Sequence, residues 1–150
     1  MPNRKKIVLS GASGTVAELV LPTLRERYDL VLLDIRNENH RGEKIAEIQI
    51  ADLTDDNRDA YRAYFAGADA VVPMAFAGSP NPQQGFKPEL ANIAMAYNIY
   101  QTALEEDIGR IVVASSNHAA DYYEPLILDG AYDTVDPDGR ALSDNYYGWA

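Results

Sequence analysis

The sequence contains no cysteine. This absence excludes a disulfide framework, a thiolate metal site and a cysteine nucleophile, and it fits a reducing compartment. No apolar run approaches the roughly 18 to 20 residues that a membrane helix needs, and glycines follow the basic start where a signal peptide would continue its apolar stretch. We therefore expect a cytoplasmic protein without a membrane partner.

Basic residues are scarce. The 150 residues include 13 lysines and arginines against 23 aspartates and glutamates, a net charge of −10. Phosphate backbones attract basic surfaces, so we expect no nucleic-acid partner. The acids are scattered along the chain, which favours a solubilising surface over a dedicated acidic patch. The length predicts one domain over residues 1–150.

Short apolar runs alternate with helical patterns along most of the chain. Strands are predicted at 5–10, 29–35, 46–53, 68–75 and 109–116. Helices are predicted at 14–28, where Pro22 should cause a kink, at 56–67 and at 88–107. Alternating strands and helices form parallel sheets through right-handed crossovers. We therefore predict an α/β fold, a Rossmann-like doubly wound parallel sheet with helices on both faces.

The alternation stops after the fifth predicted strand. Residues 118–142 contain two prolines and two glycines among several acids, and this composition predicts a long irregular connection. A last helix is expected to begin in "SDNYYGWA", with Ser143 or Asp144 as its N-cap.

The motif "SGASGTVA", residues 10–17, stands between the first strand and the first helix. Gly11 permits a tight turn, Gly14 lets the backbone approach a pyrophosphate, and the helix N-terminus attracts the negative charge. Ala17 is small enough for the helix to pack closely on the sheet. A glycine turn without a ligand would look the same, so this motif does not decide the matter by itself.

Asp34 provides the second part of the signal. It ends the second strand, 23 positions after Gly11, near the spacing at which an acid bonds the adenosine ribose. Its carboxylate would repel a 2′-phosphate, which favours NAD as the cofactor. Arg36 is the residue that a 2′-phosphate would want, so NADP stays open.

The Gly-x-x-Gly-x-x-Ala spacing and the strand order resemble the extended branch of the short-chain dehydrogenase/reductase family, and the resemblance covers essentially the whole chain. It implies an NAD-dependent enzyme. The cofactor-binding residues that it implies are Gly11, Ser13, Gly14, Thr15, Val16, Asp34, Ile35, Arg36, Asp52, Leu53, Met74, Ala75, Phe76, Asn92, Ala114 and Tyr147. The segment "PMAFAG" departs from the family pattern at Pro73 and Phe76.

The run "IVVASSNHA", residues 111–119, resembles uronate dehydrogenases and related sugar dehydrogenases. The resemblance implies Ser116 as the catalytic hydroxyl. It implies contacts with a sugar or sugar acid from Ser79, Ser115, Ser116, Asn117 and His118.

The catalytic base of the family is the tyrosine of a Tyr-x-x-x-Lys motif. A tyrosinate beside a lysine can take the substrate's hydroxyl proton while a serine holds the oxygen. Tyr147 is the one tyrosine whose fourth following position, 151, lies past the end of the sequence. The resemblance therefore implies Tyr147 as the base, and we expect these residues to be the N-terminal part of a longer enzyme, truncated before its substrate-binding region.

Two other functions stay open. A nucleotide-sugar epimerase or dehydratase would use the same residues and return the hydride, and a non-catalytic dinucleotide-sensing domain would use only the glycine motif. The resemblance also implies a homodimer formed through the long helix 88–107.

Overall fold

The computed structural model describes residues 4–78 and 85–150. The predicted Ser79 lies outside these residues. The described chain divides into two compact units, the first comprising Met1–Phe76 and Ala94–Ala114, the second Ala77–Ile93 and Ser115–Ala150. No helix among the described residues is long and apolar enough to cross a membrane.

The first unit is built on a parallel sheet. Its strands are β1 (Lys6–Ser10), β2 (Asp29–Asp34), β3 (Ile48–Ile50) and β4 (Ala70–Pro73). They lie in the order β3-β2-β1-β4, and every pair is parallel. Helix α1 (Thr15–Arg27) joins β1 to β2, and the later part of α2 (Phe86–Glu105) follows β4. This topology confirms the predicted Rossmann-like sheet.

Alternate residues of each strand face two separate apolar cores, as expected for a sheet covered on both faces. On one face, side chains of the sheet pack with α1 around Leu9, Leu32 and Leu21. On the other, Val8 and Val71 pack with Tyr61, Phe65 and the α2 residues Met95, Ile99 and Ala103. The carboxyl ends of the strands are therefore held by two packed layers.

The predicted fifth strand is reduced to a single pairing. Ile111 bridges to Val71 in parallel, with Val71 N–H donating to Arg110 (3.0 Å) and Val112 N–H donating to Val71 (2.9 Å). The next donor in a parallel ladder would be residue 73, which is a proline and has no N–H. Pro73 therefore ends the pairing, and the prediction of a full strand at 109–116 is wrong.

The predicted helix at 56–67 is also wrong. The segment forms two 3₁₀ turns, Arg58–Ala60 and Arg62–Tyr64. Tyr61 separates them with a φ of −134°, which lies outside the helical range. Its ring is buried, and its hydroxyl donates to the carbonyl of Asp55 at 3.0 Å. Anchoring of this side chain in the core overrides the local helical pattern.

The second unit contains the beginning of α2 and three short elements. A 3₁₀ segment (Asn117–Tyr123) leads directly into α3 (Glu124–Leu128), and α4 spans Tyr146–Trp149. The expectation of an irregular connection over 118–142 is therefore wrong for its first eleven residues, 118–128. The prediction of Ser143 or Asp144 as the N-cap of the last helix is wrong. The N-cap of α4 is Asn145, whose side-chain oxygen accepts a hydrogen bond from Gly148 N–H.

Candidate functional site

Gly11 makes the turn out of β1 with a φ of +71°, a conformation that favours glycine. A β-carbon on Gly11 would lie 2.5 Å from the backbone nitrogen of Ala75 and 2.6 Å from the carbonyl carbon of Met74. The backbones after β1 and β4 are therefore in direct contact. Glycine is required at this position by both the backbone conformation and the packing.

The start of α1 is arranged to receive an anion. Gly14 is the N-cap, and no described side chain caps this helix end. The first N–H groups of a helix lack intrahelical acceptors, and the helix dipole places positive charge there. Gly14 itself is held by a hydrogen bond from its N–H to the carbonyl of Gly11 (2.9 Å). The loop therefore fits a pyrophosphate, which would supply the missing acceptors.

Asp34 organises the same loop from the end of β2. Its Oδ2 accepts from the N–H of Ser13 (2.9 Å) and from the hydroxyl of Ser13 (2.8 Å), while its Oδ1 accepts from Ile35 N–H (2.8 Å). Arg36 Nε donates to the same Ser13 hydroxyl at 3.3 Å. The carboxylate has about four acceptor positions, so one is left for a ribose hydroxyl.

Apolar and polar groups around the strand ends also suit a dinucleotide. Ile35 leaves 69% of its surface exposed directly after β2. Leu53 is buried. Asp52 Oδ1 accepts from the hydroxyl (2.6 Å) and the N–H (2.9 Å) of Thr54, and these bonds lower the pKa of the Asp52 carboxyl.

The remaining predicted cofactor residues divide between the two units. Ser10 Oγ accepts from the N–H groups of Met74 (3.3 Å) and Ala75 (3.4 Å), which fixes the chain as it leaves β4. Helix α1 begins with Thr15 and Val16. The side chains of Val16, Phe76 and Ala114 are exposed, and these residues belong to the first unit. Asn92 and Tyr147 lie in the second unit.

Asn92 has a definite structural role. Its side-chain oxygen accepts from Ala77 N–H at 2.7 Å, and its amide nitrogen donates to Ala77 O (3.3 Å) and to Glu89 Oε2 (2.8 Å). Glu89 is 1% exposed, and its other oxygen has no partner among the described residues. Asn92 thus holds the backbone that enters α2, a role that the sequence prediction did not include.

A second cluster forms around His118 in the second unit. Ser116 is the N-cap of the 3₁₀ segment, and its hydroxyl oxygen accepts from His118 N–H at 3.3 Å. The ring of His118 lies edge-on to the ring of Tyr147, with 5.4 Å between centroids. Gly148, the next residue, lies against the main-chain carbonyl of His118. The structure therefore brings together three predicted residues from two segments.

Asp121 holds this cluster together. Its Oδ2 lies 2.6 Å from His118 Nδ1 and also accepts from Asn145 Nδ2 at 2.8 Å. Asn145 in turn caps α4 through Gly148. Asp121 therefore links the histidine to the helix that carries Tyr147, while Ser115 and Asn117 are exposed beside it.

The sequence prediction missed Asp121 and Asn145. No helical spacing predicts the contact of His118 with Asp121, because Ala120 between them has a non-helical φ of −124° and interrupts the 3₁₀ segment. The role of Asn145 depends on contacts between distant segments.

A family model described as NAD(P)H-binding matches residues 11–136, which begin at the glycine of the β1 turn. The chain belongs to the NAD(P)H-binding family. Membership in the NAD(P)H-binding family confirms the predicted nicotinamide dinucleotide cofactor, and the relatives confirm the resemblance to the extended short-chain dehydrogenase/reductases.

Several sugar dehydrogenases are similar in sequence to this protein. L-arabinose 1-dehydrogenase (NAD(P)(+)) of Haloferax volcanii is 31% identical, over 95% of this chain and 56% of that protein. Uronate dehydrogenase of Pseudomonas syringae pv. tomato is 30% identical, over 95% of this chain and 49% of that protein. The chain thus spans about half the length of the curated relatives it matches.

A solved structure shows the same fold. The crystal structure of uronate dehydrogenase from Agrobacterium tumefaciens superposes with a TM-score of 0.72 at 26% identity, covering 97% of this chain and 51% of that one. The agreement extends over both units of the chain.

Proposed function

We propose that the protein is an NAD-dependent oxidoreductase that oxidises a sugar or sugar acid by hydride transfer. The observation that carries the proposal is the cluster of Ser116, His118 and Tyr147, in a chain that belongs to the NAD(P)H-binding family. A dinucleotide-sensing domain would need the glycine loop alone. It would give no reason for these three residues to lie in one cluster.

The residues of the second unit would act on the substrate. Tyr147 would take the proton of the reacting hydroxyl, and Ser116 would donate a hydrogen bond to the oxygen as it becomes a carbonyl. Bound NAD would supply the hydride acceptor. Because the chain spans about half the length of the curated relatives it matches, the complete gene product is the form to assay.

The first unit would bind the dinucleotide. The first turn of α1 would bond the pyrophosphate, and Asp34 would accept from a ribose hydroxyl. Its carboxylate repels a 2′-phosphate, which supports NAD over NADP. Arg36 is already engaged with Ser13, so the guanidinium would have to turn away from this hydroxyl to bind a 2′-phosphate.

The predicted homodimer through α2 is part of the same proposal. Tyr97 and Leu104 are 57% and 72% exposed and stand seven positions apart, so they share one helix face. A helix that leaves large apolar side chains exposed on one face is suited to pair with a copy of itself. Sedimentation of the native protein and of a Leu104→Glu variant would test this pairing. The cytoplasmic location stays a prediction.

The deciding experiment is reduction of NAD by the complete gene product. The panel comprises galactose, arabinose, glucose, glucose 6-phosphate, galacturonate and glucuronate, with formation of NADH followed by absorbance. Steady NADH formation with at least one sugar supports the proposal. Binding of NADH without turnover on any sugar would contradict it and favour a sensing domain, whereas turnover of a nucleotide sugar without net NADH would favour an epimerase or dehydratase.

A further inference from the structure

The carboxylate of Asp121 is held in one position. Its Oδ2 accepts from Asn145 Nδ2 at 2.8 Å and lies 2.6 Å from His118 Nδ1, and its side chain is 19% exposed. Asn145 is itself fixed as the N-cap of α4 through Gly148. Asp121 is therefore a constrained partner of the imidazole and not a mobile surface acid.

This contact fixes the tautomer of the neutral His118 ring. A carboxylate oxygen can only accept hydrogen bonds, so Nδ1 must carry the proton. In the neutral ring Nε2 is then an acceptor, which is the group that a sugar hydroxyl can donate to. The side chain is half exposed, so a substrate can reach the ring.

The charge of the pair follows from the same contact. With a neutral ring, the pair of His118 and Asp121 carries one negative charge. With a protonated ring, it carries no net charge. In neither state does the pair present the net positive charge that stabilises a bound carboxylate or phosphate.

The surrounding sequence adds to this negative potential. From Ser115 to Ala150 the only lysine or arginine is Arg140. The acids of the same stretch are Asp121, Glu124, Asp129, Asp133, Asp136, Asp138 and Asp144. Within residues 115–150 these charges disfavour an anionic substrate at the His118 cluster relative to an uncharged one.

We infer that Asp121 is a specificity-determining residue that selects an uncharged sugar over a sugar acid or sugar phosphate at the cluster of Ser116, His118 and Tyr147. This inference rests on the proposed function and names its substrate class. It assigns the hydroxyl-binding role to Nε2 of His118 and the rejection of anions to Asp121.

The first test uses two sugars that differ at a single carbon. D-galactose carries a hydroxymethyl group where D-galacturonate carries a carboxylate. We expect the complete gene product to reduce NAD with galactose or another uncharged aldose at a kcat/KM at least about 10-fold above that for any uronate. A preference for galacturonate over galactose would overturn the inference while leaving the proposed function intact. Failure of every sugar would overturn the proposed function itself.

The second test changes the charge and keeps the shape. Asp121→Asn retains an oxygen that can accept from His118 and Asn145, but it removes the negative charge. We expect the ratio of galactose to galacturonate kcat/KM to fall about 10-fold, mainly through the KM of the uronate, because one unit charge near the substrate is worth about 1.4 kcal/mol or more. Asp121 also positions His118, so the absolute rate on galactose falls as well, and the ratio of the two kcat/KM values is the readout.

Asp133→Asn is the matched control. Asp133 is an exposed acid of the same unit and lies outside the hydrogen bonds of Asp121. We expect this variant to change the ratio by less than about twofold, because solvent screens an exposed charge. Equal ratios in the wild type, Asp121→Asn and Asp133→Asn would overturn the inference. If Asp121→Asn does not fold, as judged by thermal unfolding, the comparison of galactose with galacturonate in the wild type still decides.

Discussion

The α-carbon of Gly148 lies so close to the main-chain carbonyl of His118 that a β-carbon at position 148 would overlap the oxygen. The same β-carbon would also overlap the hydroxyl of Ser143. This close approach places Tyr147, the adjacent residue, against the ring of His118. The glycine of the Tyr-Gly pair is therefore a packing requirement of the cluster.

Gly148→Ala should displace α4. Overpacking of this kind typically costs about 1–3 kcal/mol, and a shift of about 1 Å at a proposed base lowers turnover strongly. We expect NADH formation by the complete gene product to fall at least 10-fold. Gly109→Ala is the control, because a β-carbon there meets nothing within 4 Å. Turnover equal to wild type in Gly148→Ala would show that the observed contact is not needed.

Gly11→Ala should abolish tight binding of the dinucleotide. The new β-carbon would press on the backbone of Ala75, and the left-handed backbone disfavours any side chain. We expect the Kd for NADH, measured by fluorescence titration, to rise at least 10-fold.

Gly42→Ala separates the two effects at Gly11. Gly42 has a φ of +76°, close to that of Gly11, but its β-carbon would meet nothing within 4 Å. Gly42→Ala should lose about 1 kcal/mol of stability and keep its affinity for NADH. If both variants bind NADH equally well, the contact between Gly11 and Ala75 plays no part in binding the dinucleotide.

Tyr147→Phe removes the phenolic oxygen and keeps the ring that faces His118. If Tyr147 is the base, kcat should fall about 10²–10⁴-fold while the Kd for NADH stays within about threefold. Tyr146→Phe is the matched control, since Tyr146 packs on Phe86 through its ring and is not assigned to the chemistry. An active Tyr147→Phe enzyme would remove this residue from the mechanism.

Asp34→Asn tests the choice between NAD and NADP. The variant loses the charge that repels a 2′-phosphate, and it turns one acceptor toward Ser13 or Ile35 into a donor. We expect affinity for NADH to fall and the ratio of NADPH to NADH affinity to rise about 10-fold, measured by titration of both. Glu38→Gln, an exposed acid four residues on, should leave the ratio unchanged. An unchanged ratio in Asp34→Asn would contradict the proposed role.

Asp52 provides a pH-dependent prediction. Hydrogen bonds from the hydroxyl and the N–H of Thr54 stabilise the ionised carboxylate and lower its pKa from the usual 3.8. Because the folded pKa lies below the unfolded one, this carboxylate stabilises the fold at pH values above the unfolded pKa, and the contribution is lost as the pH falls through the folded pKa. Thr54→Val should therefore raise the pKa of Asp52, followed by NMR titration, and reduce the loss of stability below about pH 4. An Asp52 pKa that does not change in Thr54→Val would contradict this account.

The first unit was largely predictable because its signals are local. The run of β1 followed by Gly11 and Gly14 predicts a strand, a turn and a helix from adjacent residues, and Asp34 ends the next strand at the expected spacing. The errors occurred where tertiary contacts outweigh local pattern. Burial of Tyr61 breaks a predicted helix into two turns, and the missing N–H of Pro73 limits the predicted fifth strand to one bridge.

In the second unit, contacts between distant segments decide more than local sequence patterns do. The sequence by itself determined the fold class and the glycine loop, and the resemblance of its short motifs to a known family identified Ser116, His118 and Tyr147 as candidates. Only the tertiary structure decided that Asp121 and Asn145 connect these residues. Hydrogen bonds between segments more than 20 positions apart depend on how the chain packs, and no local periodicity records them.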